Sequence, residues 1–145
     1  MDAESRDPVS REIRGGVDLA FADRVLDELD ELWRTAAYVP DLDRTLFALA
    51  ISEVLTNIVR HGGAATDASG AVAEIVVELE VAESRLEAVI RDSAPPASID
   101  WEAVAMPAAE EESGRGLALA RSALDDFRHD AEADGNVWTL RRELS

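Results

Sequence analysis

The sequence predicts an α+β domain: a two-layer sandwich with helices on one face of a mixed, mostly antiparallel sheet. Residues 72–81 alternate, with Ile75, Val77, Leu79 and Val81 on one side and Glu74, Glu78 and Glu80 on the other. That period of two marks a half-buried strand. After Glu83-Ser84 the alternation resumes over 85–91, with Leu86, Ala88 and Ile90 in phase. The two segments therefore predict an antiparallel hairpin. Two longer segments upstream repeat their apolar residues at helical spacing instead, which supplies the second layer.

Taken in order, residues 1–9 are polar up to Pro8 and read as a flexible N-terminus, leaving one domain over 10–145. Residues 10–18 read as a strand with Ile13, Val17 and Leu19 in phase, and Gly15-Gly16 points to a bulge or a sheet edge. Residues 19–37 place Leu19, Val25, Leu26, Leu29, Leu32 and Trp33 on one helix face, with an acidic face opposite. Pro40-Asp41-Leu42-Asp43 starts a second helix, its carboxylates near the positive end of the dipole. That helix runs to about His61 and stops at Gly62-Gly63. Residues 64–71 and 97–113 read as loops, the latter with the run Glu110-Glu111-Glu112. Gly114-Arg115-Gly116 opens a third helix bearing Leu117, Ala120, Leu124 and Phe127. Residues 128–133 and 136–144 form a closing hairpin about Asp134-Gly135-Asn136, with Trp138, Leu140 and Leu144 inward.

A chain of 145 residues with 47% apolar content suits one globular domain with a core. The absence of cysteine excludes disulfides, thiol nucleophiles and cysteine zinc sites. No segment is apolar enough to span a bilayer, and the N-terminus lacks the blocks of a signal peptide, so a cytoplasmic location is expected. A net charge of −17 opposes direct binding to nucleic acid or an anionic membrane and suits a partner with a basic surface. All 14 basic residues are arginine. A P-loop lysine, the lysine of the ordinary protein-kinase fold and a Schiff-base lysine are thereby excluded. Any ATP phosphates must be held by backbone amides, arginine and a metal. The two histidines, His61 and His129, lie in no zinc-like spacing, and no Gly-x-Ser-x-Gly elbow is present.

Three short patterns carry chemistry. Glu53 and Asn57 lie four residues apart in a helix otherwise built from Phe47, Ile51, Val54, Leu55 and Ile58, so they share one face a turn apart. Alone, the pair also fits a polar stripe facing solvent. Read chemically, the carboxamide can bind a hard cation and the carboxylate can take a proton from a hydroxyl. Arg60 and His61 follow on the next turn: Arg60 suits a phosphate or an acidic neighbour, His61 the helix C-terminus. Asp92 ends an apolar strand before Ser-Ala-Pro-Pro; it suits a turn, or it accepts a hydrogen bond from the exocyclic amine of adenine. Gly114 and Gly116 at a helix start either reflect ordinary capping near Ser113 or let backbone amides approach an anion.

In this order the three patterns resemble the Bergerat-fold (GHKL) ATPase superfamily, and within it the short stand-alone serine-kinase anti-sigma factors of bacteria. Glu53-Val-Leu-Thr-Asn57-Ile-Val-Arg-His61 resembles the N box, Asp92-Ser-Ala-Pro-Pro96 the G1 box, Gly114-Arg-Gly-Leu-Ala-Leu119 the G2 box and Gly135-Asn-Val-Trp-Thr-Leu140 the closing strand. The resemblance covers about residues 10–144. It implies that Glu53 deprotonates an acceptor hydroxyl or a water, that Asn57 holds Mg²⁺ and that Asp92 binds the adenine amine of ATP. It also implies that Gly114, Arg115, Gly116 and Leu117, with Arg60, line the phosphates under a lid formed by 97–113. The implied partners are a STAS-domain anti-sigma-factor antagonist, phosphorylated on serine, and a sigma factor; a homodimer is implied as well. One position departs from the pattern: the G1 box has glycine two residues after its aspartate, and here the nucleotide-lining position is Ala94. A requirement for positive φ there would cost about 1 kcal/mol and weaken nucleotide binding. The alternative is therefore the same fold acting by partner capture alone. A third reading, the ATP domain of a sensor histidine kinase, needs a preceding helix pair and phospho-accepting histidine for which the chain has no room.

Overall fold

The computed structural model describes residues 6–62, 70–96 and 112–144. Its elements are β1 (Val9–Gly16), α1 (Leu19–Thr35), α2 (Asp41–Gly62), β2 (Glu74–Val81), β3 (Arg85–Asp92), α3 (Glu112–Ser122), β4 (Asp126–Glu132) and β5 (Gly135–Glu143). The predicted hairpin of β2 and β3 is the middle of the sheet, with Ile75 opposite Asp92 and Val81 opposite Leu86. β1 joins the β2 side and β5 the β3 side, giving the order β1-β2-β3-β5-β4. Every described pairing is antiparallel, so the mixed sheet expected from sequence is antiparallel throughout the described residues.

The alternation decides which face is covered. Ile75, Val77, Leu79, Leu86, Ile90, Trp138 and Leu140 are buried on one face, against Val25, Leu29 and Leu32 of α1 and Phe47, Ile51, Val54, Leu55 and Ile58 of α2. Each such side chain contributes about 1.5–3 kcal/mol by leaving water. The opposite face carries charge, including the pairs Arg91–Glu78 at 2.7 Å and Arg85–Glu80 at 3.0 Å. Exposed pairs of this kind contribute at most about 1 kcal/mol each. They keep the uncovered face wet and so fix the two-layer arrangement.

Four local expectations need correction. Leu19 is 59% exposed, and the first turn of α1 buries Phe21 and Ala22 instead. Asp18 caps that turn, accepting from the Phe21 amide at 2.8 Å, which sets the helix phase. Gly15-Gly16 marks an edge strand but not a bulge, since the ladder runs from Val9↔Val81 to Gly16↔Glu74 without a break. A Cβ on Gly15 would lie 2.4 Å from Phe21 Cδ1, so glycine here makes room for α1 to fold back on β1. α3 begins at Glu112, which puts Gly114 and Gly116 inside its first turns and not ahead of them. It ends at Ser122, and Phe127 lies in β4 opposite Leu140; helical spacing had grouped it with Leu117 and Ala120.

One buried ion pair ties the layers together. Asp43, at the start of α2, is fully buried and accepts from Arg142 Nε at 2.8 Å. Arg142 Nη1 also donates to the Ala123 carbonyl at 2.8 Å, so β5, α2 and the end of α3 meet at one guanidinium. Removing one partner of such a pair costs about 3–5 kcal/mol, because the other charge stays buried.

Candidate functional site

α2 packs on α1, on α3 and on strands β3 and β5. Its polar stripe therefore does not simply face water. Asn57 is only 8% exposed, and its Oδ1 has no hydrogen-bond partner among the described residues. A buried carbonyl oxygen left so costs about 1–3 kcal/mol unless a water or a ligand meets it. Glu53, one turn earlier, is half-buried, and its carboxylate lies against the backbone of α3: a Cβ on Gly116 would come within 2.5 Å of Glu53 Oε2. Glycine thus leaves room for the Glu53 carboxylate, as it is placed here, between the two helices. Leu117 anchors the same stretch of α3 in the core, while Arg115 and Arg60 are exposed. Gly114 lies within α3. Residues 97–111, nearly all of the expected lid, lie outside the described residues.

Asp92, the last residue of β3, is 6% exposed. Its Oδ1 accepts from the Ala94 amide at 3.1 Å, closing a tight Asx-type turn, and from Asn136 Nδ2 at 2.9 Å. Its Oδ2 accepts from the indole Nε1–H of Trp138 at 3.1 Å. Asn136 Oδ1 in turn faces His129 Nε2 at 2.8 Å, and the His129 ring tilts against Trp138 with centroids 4.3 Å apart. Burial pushes the Asp92 carboxyl above its ordinary pKa; the hydrogen bonds from Asn136, Trp138 and the Ala94 amide, and the His129 ring, pull it back down. The backbone closes tightly here. A Cβ on Gly135 would stand 2.0 Å from the Asp92 carbonyl oxygen, so only glycine lets β5 start against β3 at this register.

His129, Asn136 and Trp138 belong to the closing hairpin, which the sequence marks as core and turn only. The missing link is the register that sets Asn136 opposite Asp92 and Trp138 opposite Ile90. Ala94 also looks different in three dimensions. Among the described residues no non-glycine has positive φ, so alanine meets no backbone strain there. Its methyl group is buried in the core cluster.

Among the described residues no cluster of three or more His, Cys, Asp or Glu side chains could hold a metal by itself. A cation at Asn57 Oδ1 would have to share its remaining ligands with phosphate oxygens or water, which suits Mg²⁺ bound together with a nucleotide. The residues present fit that ion.

A one-sided antiparallel sheet, a helix carrying carboxylate and carboxamide one turn apart, and a glycine-bearing helix closing over the carboxylate define a Bergerat-type (GHKL) nucleotide-binding domain. The family model of the histidine kinase-like ATPase domain matches residues 17–142, and the chain belongs to that family. No curated protein matches it by sequence. Among solved structures, the RsbU and RsbW domains of Rv1364c from Mycobacterium tuberculosis share the fold with a TM-score of 0.66 and 24% identity, over 94% of this chain and 32% of that one. The histidine kinase domain of the blue-light activated histidine kinase EL346 from Erythrobacter litoralis matches with a TM-score of 0.51 and 18% identity, over 86% of this chain and 60% of that one. The chain therefore spans less than two thirds of either neighbour. No helix among the described residues is long and apolar enough to cross a membrane.

Proposed function

We propose that this protein is an ATP-dependent protein-serine kinase of the anti-sigma-factor type, which phosphorylates a STAS-domain antagonist and sequesters a sigma factor. The observation that carries the reading is the buried Asn57 Oδ1, without a hydrogen-bond partner among the described residues, one turn from a Glu53 carboxylate seated on Gly116. In this reading Glu53 takes the proton of the acceptor serine as its oxygen attacks the γ-phosphorus, and ADP leaves. Mg²⁺, when bound with ATP, offsets phosphate charge, and Asn57 would supply one of its oxygens. Asp92 accepts the adenine amine. The backbone about Gly114, Gly116 and Leu117, with Arg115 and Arg60, faces the phosphates. A solved structure with an RsbW domain among the fold neighbours agrees with the anti-sigma reading. A homodimer, a cytoplasmic location and avoidance of nucleic acid and membrane go with it. The −17 charge suits a sigma factor's basic surface.

The competing reading, partner capture without catalysis, rested on Ala94. The negative φ of that residue removes the backbone part of the objection. The test is transfer of labelled γ-phosphate from ATP to a STAS-fold acceptor. Label on serine that disappears with Glu53→Ala supports the kinase; tight acceptor binding with no label in the wild type supports capture alone.

A further inference from the structure

The hydrogen bonds around Asp92 leave its two oxygens with different duties. A carboxylate oxygen accepts about two hydrogen bonds. Oδ1 already takes two, from the Ala94 amide and Asn136 Nδ2, whereas Oδ2 takes one, from Trp138 Nε1. One acceptor position on Oδ2 therefore remains. The Asn136 amide cannot turn over, because its Nδ2 faces Asp92 Oδ1 and the Pro95 carbonyl at 3.2 Å, both acceptors. Its oxygen must then face His129, and His129 must donate from Nε2. A chain of donors thus runs from the edge strand β4 through β5 to the end of β3.

We propose that His129, acting through Asn136, and Trp138 are positioning residues that aim the single remaining acceptor of Asp92 at a nucleobase amine. The inference rests on the reading of Asp92 as that acceptor. His129 touches no ligand in it; its part is to hold Asn136 as a donor toward Asp92. Only an ionised Asp92 is an acceptor throughout, and burial works against ionisation while these donors favour it. The titratable group acting on Asp92 is His129, from β4; β2 sets Ile75 opposite it, and β5 brings Asn136 and Trp138, none of which titrates.

The test compares dissociation constants of the full chain for ATP and for inosine triphosphate, which lacks the amine, across pH. Wild type prefers ATP by at least about tenfold. Asp92→Ala erases the preference. His129→Phe keeps a ring against Trp138 but loses the donor; it lowers the preference by at least about threefold and moves the acidic loss of ATP affinity to higher pH. Trp138→Phe does the same. His129→Gln, which retains an N–H donor, restores the wild-type ratio and pH profile. If Asp92→Ala erases the preference while His129→Phe and Trp138→Phe, both folded by circular dichroism, leave ratio and pH profile unchanged, the relay is wrong and the Asp92 reading stands. If wild type binds the two nucleotides equally, the Asp92 reading fails and the relay falls with it.

Discussion

The Asp92 end of the site and the Asn57 end are built by opposite rules. At Asp92 three donors from two segments converge on one carboxylate, and a glycine lets the strands close on it. At Asn57 a buried oxygen has no hydrogen-bond partner among the described residues, and the neighbouring Glu53 carboxylate has glycine beside it where a side chain could have stood. The first end is held in place before any ligand arrives, with one acceptor position left over, which favours rigid recognition of a base. The second holds its polar groups in reserve, as expected where an ion and a reacting phosphate must complete the shell. In the proposed reading, recognition therefore falls on the strands and chemistry between two helices.

Substitutions at each end can break that contrast, and the largest effect belongs to Glu53. Glu53→Ala should lower phosphate transfer by at least about a hundredfold with ATP affinity within a few-fold; a matching loss of affinity in a binding titration would make Glu53 a packing residue. Gly135→Ala should cost about 1–3 kcal/mol in denaturant unfolding and weaken adenine nucleotides, since its methyl collides with the Asp92 carbonyl. Unchanged stability would show that the strand junction is looser than drawn. Asn57→Leu should leave the ligand-free protein as stable or up to about 1–3 kcal/mol more stable, because the partnerless oxygen is gone. The same variant should lose the Mg²⁺ dependence of ATP binding; retention of that dependence would place the ion elsewhere.

The smallest effect is a pH linkage. Burial raises the folded-state pKa of Asp92, so in the window between its ordinary value and the raised one the folded state binds more protons than the unfolded. Stability measured against Asp92→Asn should therefore rise as pH falls through the raised pKa and level off below the ordinary one. A difference that shrinks on acidification would mean that the donors outweigh burial.

The two ends also differed in how well the sequence showed them. Glu53 and Asn57 are legible because helical spacing is local: four residues fix a shared face whatever the rest of the chain does. The central hairpin is legible for the same reason, through alternation. The partners of Asp92 are not, because Asn136 and Trp138 reach it only through the pairing of β3 with β5, more than forty positions apart in sequence, and pairing register is not local. Alternation does place Trp138 inward, yet it cannot say that the indole has a carboxylate to meet. Leu19 misled because it fits the phase of both a strand and a helix; the Asp18 cap settled the matter. Arg142 stayed hidden because a charge among inward positions looks like a break in the pattern until Asp43 is set beside it.

The most direct test of the account is a calorimetric titration of the folded protein with ATP, run with and without Mg²⁺. Micromolar binding that weakens markedly when Mg²⁺ is withheld is the expected result. Absence of binding under both conditions would contradict it and leave a nucleotide-binding fold that works through its protein partners alone.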